Sequence, residues 1–119
     1  QALADDDPIL RLNAIKSLIR VQRLSGGVEA RLLTCLTDDS TGLRSGAAQI
    51  LGQALVYSAL EPLLSLIDDD EAEVRWNTAI ALGHLGDPTS REALQRLTED
   101  RDETVAYYAH WALRKLSAG

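Results

Sequence analysis

Apolar residues recur along this chain at helical spacing, in two alternating kinds of segment. Residues 59–67 place Leu60, Leu63, Leu64 and Ile67 on one side of a short helix. After Asp68-Asp69-Asp70, a second stripe runs through Val74, Thr78, Ala81, Leu82 and Leu85, and Gly86 can cap its end before Asp87-Pro88 restarts the pattern. The pair then repeats. Ala93, Leu94 and Leu97 precede Val105, Ala109, Ala112, Leu113 and Leu116, and Val28, Leu32, Leu33 and Leu36 precede Leu43, Ala47, Ile50, Leu51 and Ala54. Near the start only the second helix is legible, from Pro8 to about Arg20, behind the stub Gln1-Ala2-Leu3-Ala4.

The register is regular. Leu10, Leu43, Val74 and Val105 fill one slot at intervals of 33, 31 and 31 residues. An aspartate stands five residues before each slot (Asp5, Asp38, Asp69, Asp100), and a leucine stands eight after (Leu18, Leu51, Leu82, Leu113). A fixed period of this length predicts a solenoid in which each helix pair buries its apolar face against its neighbours. Small residues at Ala14, Ala47, Thr78 and Ala109 predict close helix approach. The connector Arg23 to Gly27 takes up a two-residue insertion, and Leu55-Val56-Tyr57 stands where the next repeat has Gly86-Asp87-Pro88. No linker interrupts the chain. One domain over 1–119 is expected, with repeats at about 1–22, 27–55, 58–86 and 88–117.

These residues, best seen from Asp69 through Val74-Arg75 to Leu82-Gly83-His84-Leu85-Gly86-Asp87-Pro88, resemble the HEAT-like repeats of the phycobilin-lyase type. The resemblance covers nearly the whole chain. It implies an all-α fold, a short right-handed α-solenoid of about four HEAT-like helix pairs with the first incomplete. It also implies that the second helices line a concave face. A ladder of charges between neighbouring turns is implied at Asp38, Arg44, Asp69 and Arg75, and further back at Asp5 and Arg11, ending where Ala106 replaces the arginine.

Composition narrows the picture. With 45% apolar and 25% charged residues the 119-residue chain is an ordinary globular sequence, and no apolar run is long enough for a membrane span. The net charge of −6 disfavours nucleic acid, and only Lys16, Arg20 and Lys115 offer cations on the second-helix face, which argues against a HEAT-like DNA glycosylase. One cysteine, Cys35, forms no internal disulfide, and a cytoplasmic setting is expected. The chain begins at Gln1 and contains no Met, which points to a piece of a longer protein.

Candidate function lies in what varies between repeats. Of five aromatic residues, Trp76, Tyr107, Tyr108 and Trp111 fall on the second-helix face of the last two repeats, beside Asn77, Ile80, His84 and Lys115. Exposed Trp and Tyr are typical anchors for a partner, although they also pack against one another or against a further repeat. Next to them Gly42, Ser45 and Gly46 leave either a pocket or tight packing. No catalytic set is visible. Neither His84 nor His110 stands in a His-Glu pair of the kind used by HEAT-like di-iron hydroxylases, so no metal site is expected. His110 shares a slot with Ala48 and Ala79, which predicts partial burial, and Cys35 aligns with buried first-helix positions. The acidic runs Asp5-Asp6-Asp7 and Asp68-Asp69-Asp70 suit helix capping better than calcium.

The expected function is therefore a non-catalytic scaffold. It would bind a partner protein on its concave face, without cofactor, and could form oligomers through its open ends. The alternative follows from resemblance. Ala106 to Leu113 is similar to an aromatic-rich stretch of E/F-type phycobilin lyases, which implies a lyase subunit or phycobilisome-associated protein holding a bilin, with a phycobiliprotein as partner. The aromatics and His84 would then hold the bilin, and Arg114 or Lys115 its propionates.

Overall fold

A computed structural model describes residues 26–118 of the chain. Six α-helices are present among them and no strand: α1 (Gly26–Cys35), α2 (Thr41–Gln53), α3 (Leu60–Leu64), α4 (Ala72–Leu85), α5 (Arg91–Leu97) and α6 (Glu103–Ala118). Short 3-10 turns, Tyr57–Ala59 and Pro88–Ser90, lead into α3 and α5. Each short helix packs on the longer one that follows it, and α2, α4 and α6 stack side by side. This is a helical solenoid of three described pairs. The expected first repeat, with Asp5 and Arg11, lies outside the described residues.

Local chemistry sets the helix ends. The Ser40 hydroxyl accepts the Leu43 amide at 3.3 Å and starts α2. Asp102 accepts the amides of Thr104 and Val105 at 2.9 and 3.1 Å at the start of α6, and Asp87 takes the Thr89 amide ahead of α5. The helix α4 ends at Gly86 in the left-handed conformation, φ 67°. Leu55, one period earlier, adopts the same conformation at φ 57° although it is not glycine.

The core is built from Leu, Val and Ala. Leu36, Leu51, Leu63, Leu82, Leu94, Val74 and Val105 are fully buried, each such side chain stabilising the fold by roughly 1.5–3 kcal/mol. Close approach of the second helices centres on glycine rather than on the Ala47, Thr78 and Ala109 slot. A Cβ on Gly52 would stand 2.6 Å from the Ala81 Cα, and one on Gly83 would stand 2.8 Å from the Trp111 ring and 3.0 Å from the Ala112 Cα. Those two glycines are what let α2, α4 and α6 lie this near one another. Thr78 is fully buried, and its hydroxyl makes no hydrogen bond.

Candidate functional site

The side chains read as a binding face divide into three groups. Trp76, Ile80, His84, Tyr108 and Trp111 are half-buried, and Trp76, Tyr108 and Trp111 pack against the core. Tyr107 and Lys115 are exposed. Asn77 departs from the expectation of an open-face residue. It is buried, and its amide donates to the Glu73 carbonyl oxygen one turn back at 2.9 Å, because the neighbouring helix covers that flank of α4.

The second helices join their equivalent positions into a row. The side-chain nitrogen of Gln53 lies 3.0 Å from Nε2 of His84, and Gln53, His84 and Lys115 occupy the same position of successive repeats. The His84 ring meets Trp111 edge-on with centroids 5.4 Å apart, and the Lys115 ammonium sits 5.6 Å from the centre of the Trp111 ring. Tyr107 and Tyr108 form a second edge-to-face pair at 5.1 Å. Trp111 is thus at once a packing residue lying over Gly83 and the centre of a polar and aromatic row. In α2 the hydroxyl of Ser45 donates to the exposed Glu73 carboxylate at 3.1 Å, while space around Gly46 is open.

At the turn end of the stack the charges pair from one repeat to the next. Arg44 donates through Nε and Nη2 to Asp69 at 3.0 and 3.1 Å, and Arg75 donates in the same way to Asp100 at 2.8 and 3.1 Å. Each arginine also donates through Nη1 to the carbonyl of its own repeat's aspartate, Asp38 or Asp69. The Asp38 carboxylate itself accepts the Ser40 amide. Asp100, absent from the expected set, is the partner of Arg75, whereas Ala106 brings no guanidinium to the last turn. Burial alone would raise the Asp100 carboxyl, but the hydrogen bonds from Arg75 and from the Asp102 amide, with the Arg75 charge, hold it below the usual carboxylate range. The hydrogen bond to Asp100 outweighs desolvation and raises the Arg75 guanidinium further. A charged groove of about 240 Å³ lies along these turns, bordered by Asp70, Arg96, Asp100 and Arg101, with Arg96 paired to Asp68 at 3.1 Å.

Other candidates are placed differently from expectation. His110 is exposed rather than partly buried, since it points from the side of α6 that no described helix covers, while Ala48 and Ala79 in the same slot face a neighbouring helix. Cys35 is half-buried and touches the core. Among the described residues no three His, Cys, Asp or Glu side chains gather as metal ligands, and no helix is long and apolar enough to cross a membrane.

A family model described as HEAT repeats matches residues 29–114. The chain belongs to the HEAT-repeat family. The deoxyhypusine hydroxylase of Gallus gallus is 36% identical to this HEAT-repeat chain over 81 residues, covering 66% of the chain and 27% of that protein. The human enzyme is 32% identical over 114 residues, 92% of the chain and 38% of that protein. The structure of human deoxyhypusine hydroxylase in complex with glycerol matches with a TM-score of 0.73 at 30% identity, over 99% of the chain and 42% of that structure. The chain therefore spans well under half the length of these relatives.

These relatives correct the functional expectation. They are hydroxylases, so neither the non-catalytic scaffold nor the bilin lyase stands, and the phycobilin-lyase assignment gives way to the broader HEAT repeat. The repeat frame misled because its recurrent residues are structural. Arg44, Arg75, Gly52 and Gly83 serve the stacking of one repeat on the next and carry no mark of a particular chemistry. The expectation of no cofactor also conflicts with relatives known as di-iron enzymes. The glycine pair was visible as a 31-residue recurrence that the aromatic pattern overshadowed.

Proposed function

We propose that this chain is a stretch of a deoxyhypusine-hydroxylase-like solenoid, and that its described repeats form framework and substrate-facing wall rather than the metal-holding set. The observation that carries the reading is the joint match to deoxyhypusine hydroxylase in sequence, over 92% of the chain, and in structure, over 99% of it. A di-iron group, when bound in such a protein, supplies the activation of dioxygen for hydroxylation. The described residues do not fit that group: His84 is engaged by Gln53 and Trp111, His110 projects alone from α6, and no cluster of ligating side chains surrounds either.

What these repeats offer instead is a surface for an amine. Deoxyhypusine is a lysine extended by an aminobutyl arm, so it is long, flexible and cationic. The face of Trp111 already takes the ammonium of Lys115. Trp76, Ile80, Tyr107 and Tyr108 would flank the alkyl part, and the partner is the protein that carries the modified lysine.

The test uses the longest protein that contains this sequence. It is incubated with a deoxyhypusine-bearing protein, iron(II), a reductant and oxygen, and the intact mass of the substrate is read. A gain of one oxygen atom is expected. An unchanged mass with iron bound to the protein overturns the reading.

A further inference from the structure

We infer that α6 closes this stack: its outer face is built for solvent and does not receive a further helix at the distance α4 keeps from its neighbours. The inference rests on the stacking code of the two observed helix contacts and is independent of the reaction proposed above. Where α2 meets α4, the approach is set by Gly52 over Ala81, with Ala48 buried alongside and Arg44 reaching across to Asp69. Where α4 meets α6, Gly83 over Ala112, Ala79 and the Arg75 to Asp100 pair do the same work. The same three positions one period on are Arg114, His110 and Ala106.

Each replacement blocks a further repeat in that register for a separate physical reason. At Gly52 and Gly83 even a single added carbon would lie within 3 Å of the next helix, so the side chain of Arg114 has no room in a third contact of this kind. His110 puts an imidazole where the earlier helices bury only a methyl group. Ala106 removes the guanidinium that would grip the next turn. Glu103 and Tyr107 complete the same side of α6 by helical spacing and add a charge and a large ring to it. Terminal repeats of solenoids carry such polar outer faces, because a bare stacking surface would aggregate.

The test labels cysteines placed on that face in the longest protein carrying this sequence, with Cys35→Ser as background. His110→Cys and Arg114→Cys are compared with Gln95→Cys on the exposed side of α5, using a bulky maleimide and reading each site by peptide mass. Both positions are expected to react within about threefold of Gln95→Cys, and protection of both by about a hundredfold or more overturns the inference. Melting temperature gives a second readout. Gly83→Ala is expected to lower it by about 4 °C or more while Arg114→Ala leaves it unchanged; an equal loss from Arg114→Ala also overturns the inference.

Discussion

Arg75 grips Asp100 with two parallel hydrogen bonds, Nε at 2.8 Å and Nη2 at 3.1 Å, and so ties the third repeat to the fourth. The pair is 25 residues apart, and both side chains are about nine-tenths buried. Its geometry depends on the planar guanidinium, which also donates to the Asp69 carbonyl at 2.7 Å. Removing the cation leaves a buried carboxylate without its partner. Arg75→Met is expected to cost about 3 kcal/mol in urea-induced unfolding, and Arg75→Lys less, because a single ammonium keeps the charge but not the fork. Equal losses from both would show that the two-pronged contact adds nothing to the charge.

The same pair makes a pH prediction. The folded Asp100 carboxyl is held below its usual range, so it takes up a proton less readily than in the unfolded chain. Its stabilising contribution is therefore complete above about pH 4 and fades as pH falls through the lower folded value. Melting temperatures of the wild type and Asp100→Asn should differ at neutral pH and converge in acid. A gap that stays constant down to the most acidic folded condition would contradict this.

Leu55 sits in the left-handed region at φ 57°, where Gly86 sits one repeat later, and its side chain is 47% exposed. A leucine there is strained by about 1–2 kcal/mol and gains little burial in return. Leu55→Gly should raise stability by about 1 kcal/mol after allowance for the greater freedom of the unfolded glycine chain. Chemical denaturation checks it, and a loss of stability would mean that the leucine makes a contact worth more than the strain.

Thr78 buries a hydroxyl that finds no acceptor, in a slot where the flanking repeats have Ala47 and Ala109. Thr78→Val keeps the shape and removes the unpaired group. It should stabilise the fold by about 1 kcal/mol, read from the same denaturation series.

The fold was legible because stacking obeys a period. Leu51, Leu82, Val74 and Val105 recur at fixed intervals, and burial follows those intervals into the structure. The resemblance implied charge pairing between neighbouring turns, and Arg44 reaches Asp69 in the next one. Asp100 was missing from the implied set because the implied ladder ends where Ala106 replaces the arginine, although Asp100 needs only to accept from Arg75. The aromatic face was only half legible. Helical spacing put Trp111 on the right side of α6, but the glycine beneath it, Gly83, draws it into the helix contact and makes it half-buried. Asn77 failed for a related reason, since a helical wheel does not know that the adjacent repeat covers one flank. The likeness to hydroxylases was not drawn from the sequence, because the residues that recur are those of the framework.

The most direct test of the account is the mass of a deoxyhypusine-bearing substrate after incubation, under the same conditions, with the full protein and with its His84→Gln/His110→Gln variant. The account predicts a gain of one oxygen atom with both proteins, since neither histidine belongs to a ligand cluster among the described residues. No gain with the iron-bound wild-type protein would contradict the hydroxylase reading. A gain lost in the variant together with its iron would contradict the placement of these repeats outside the metal-holding set.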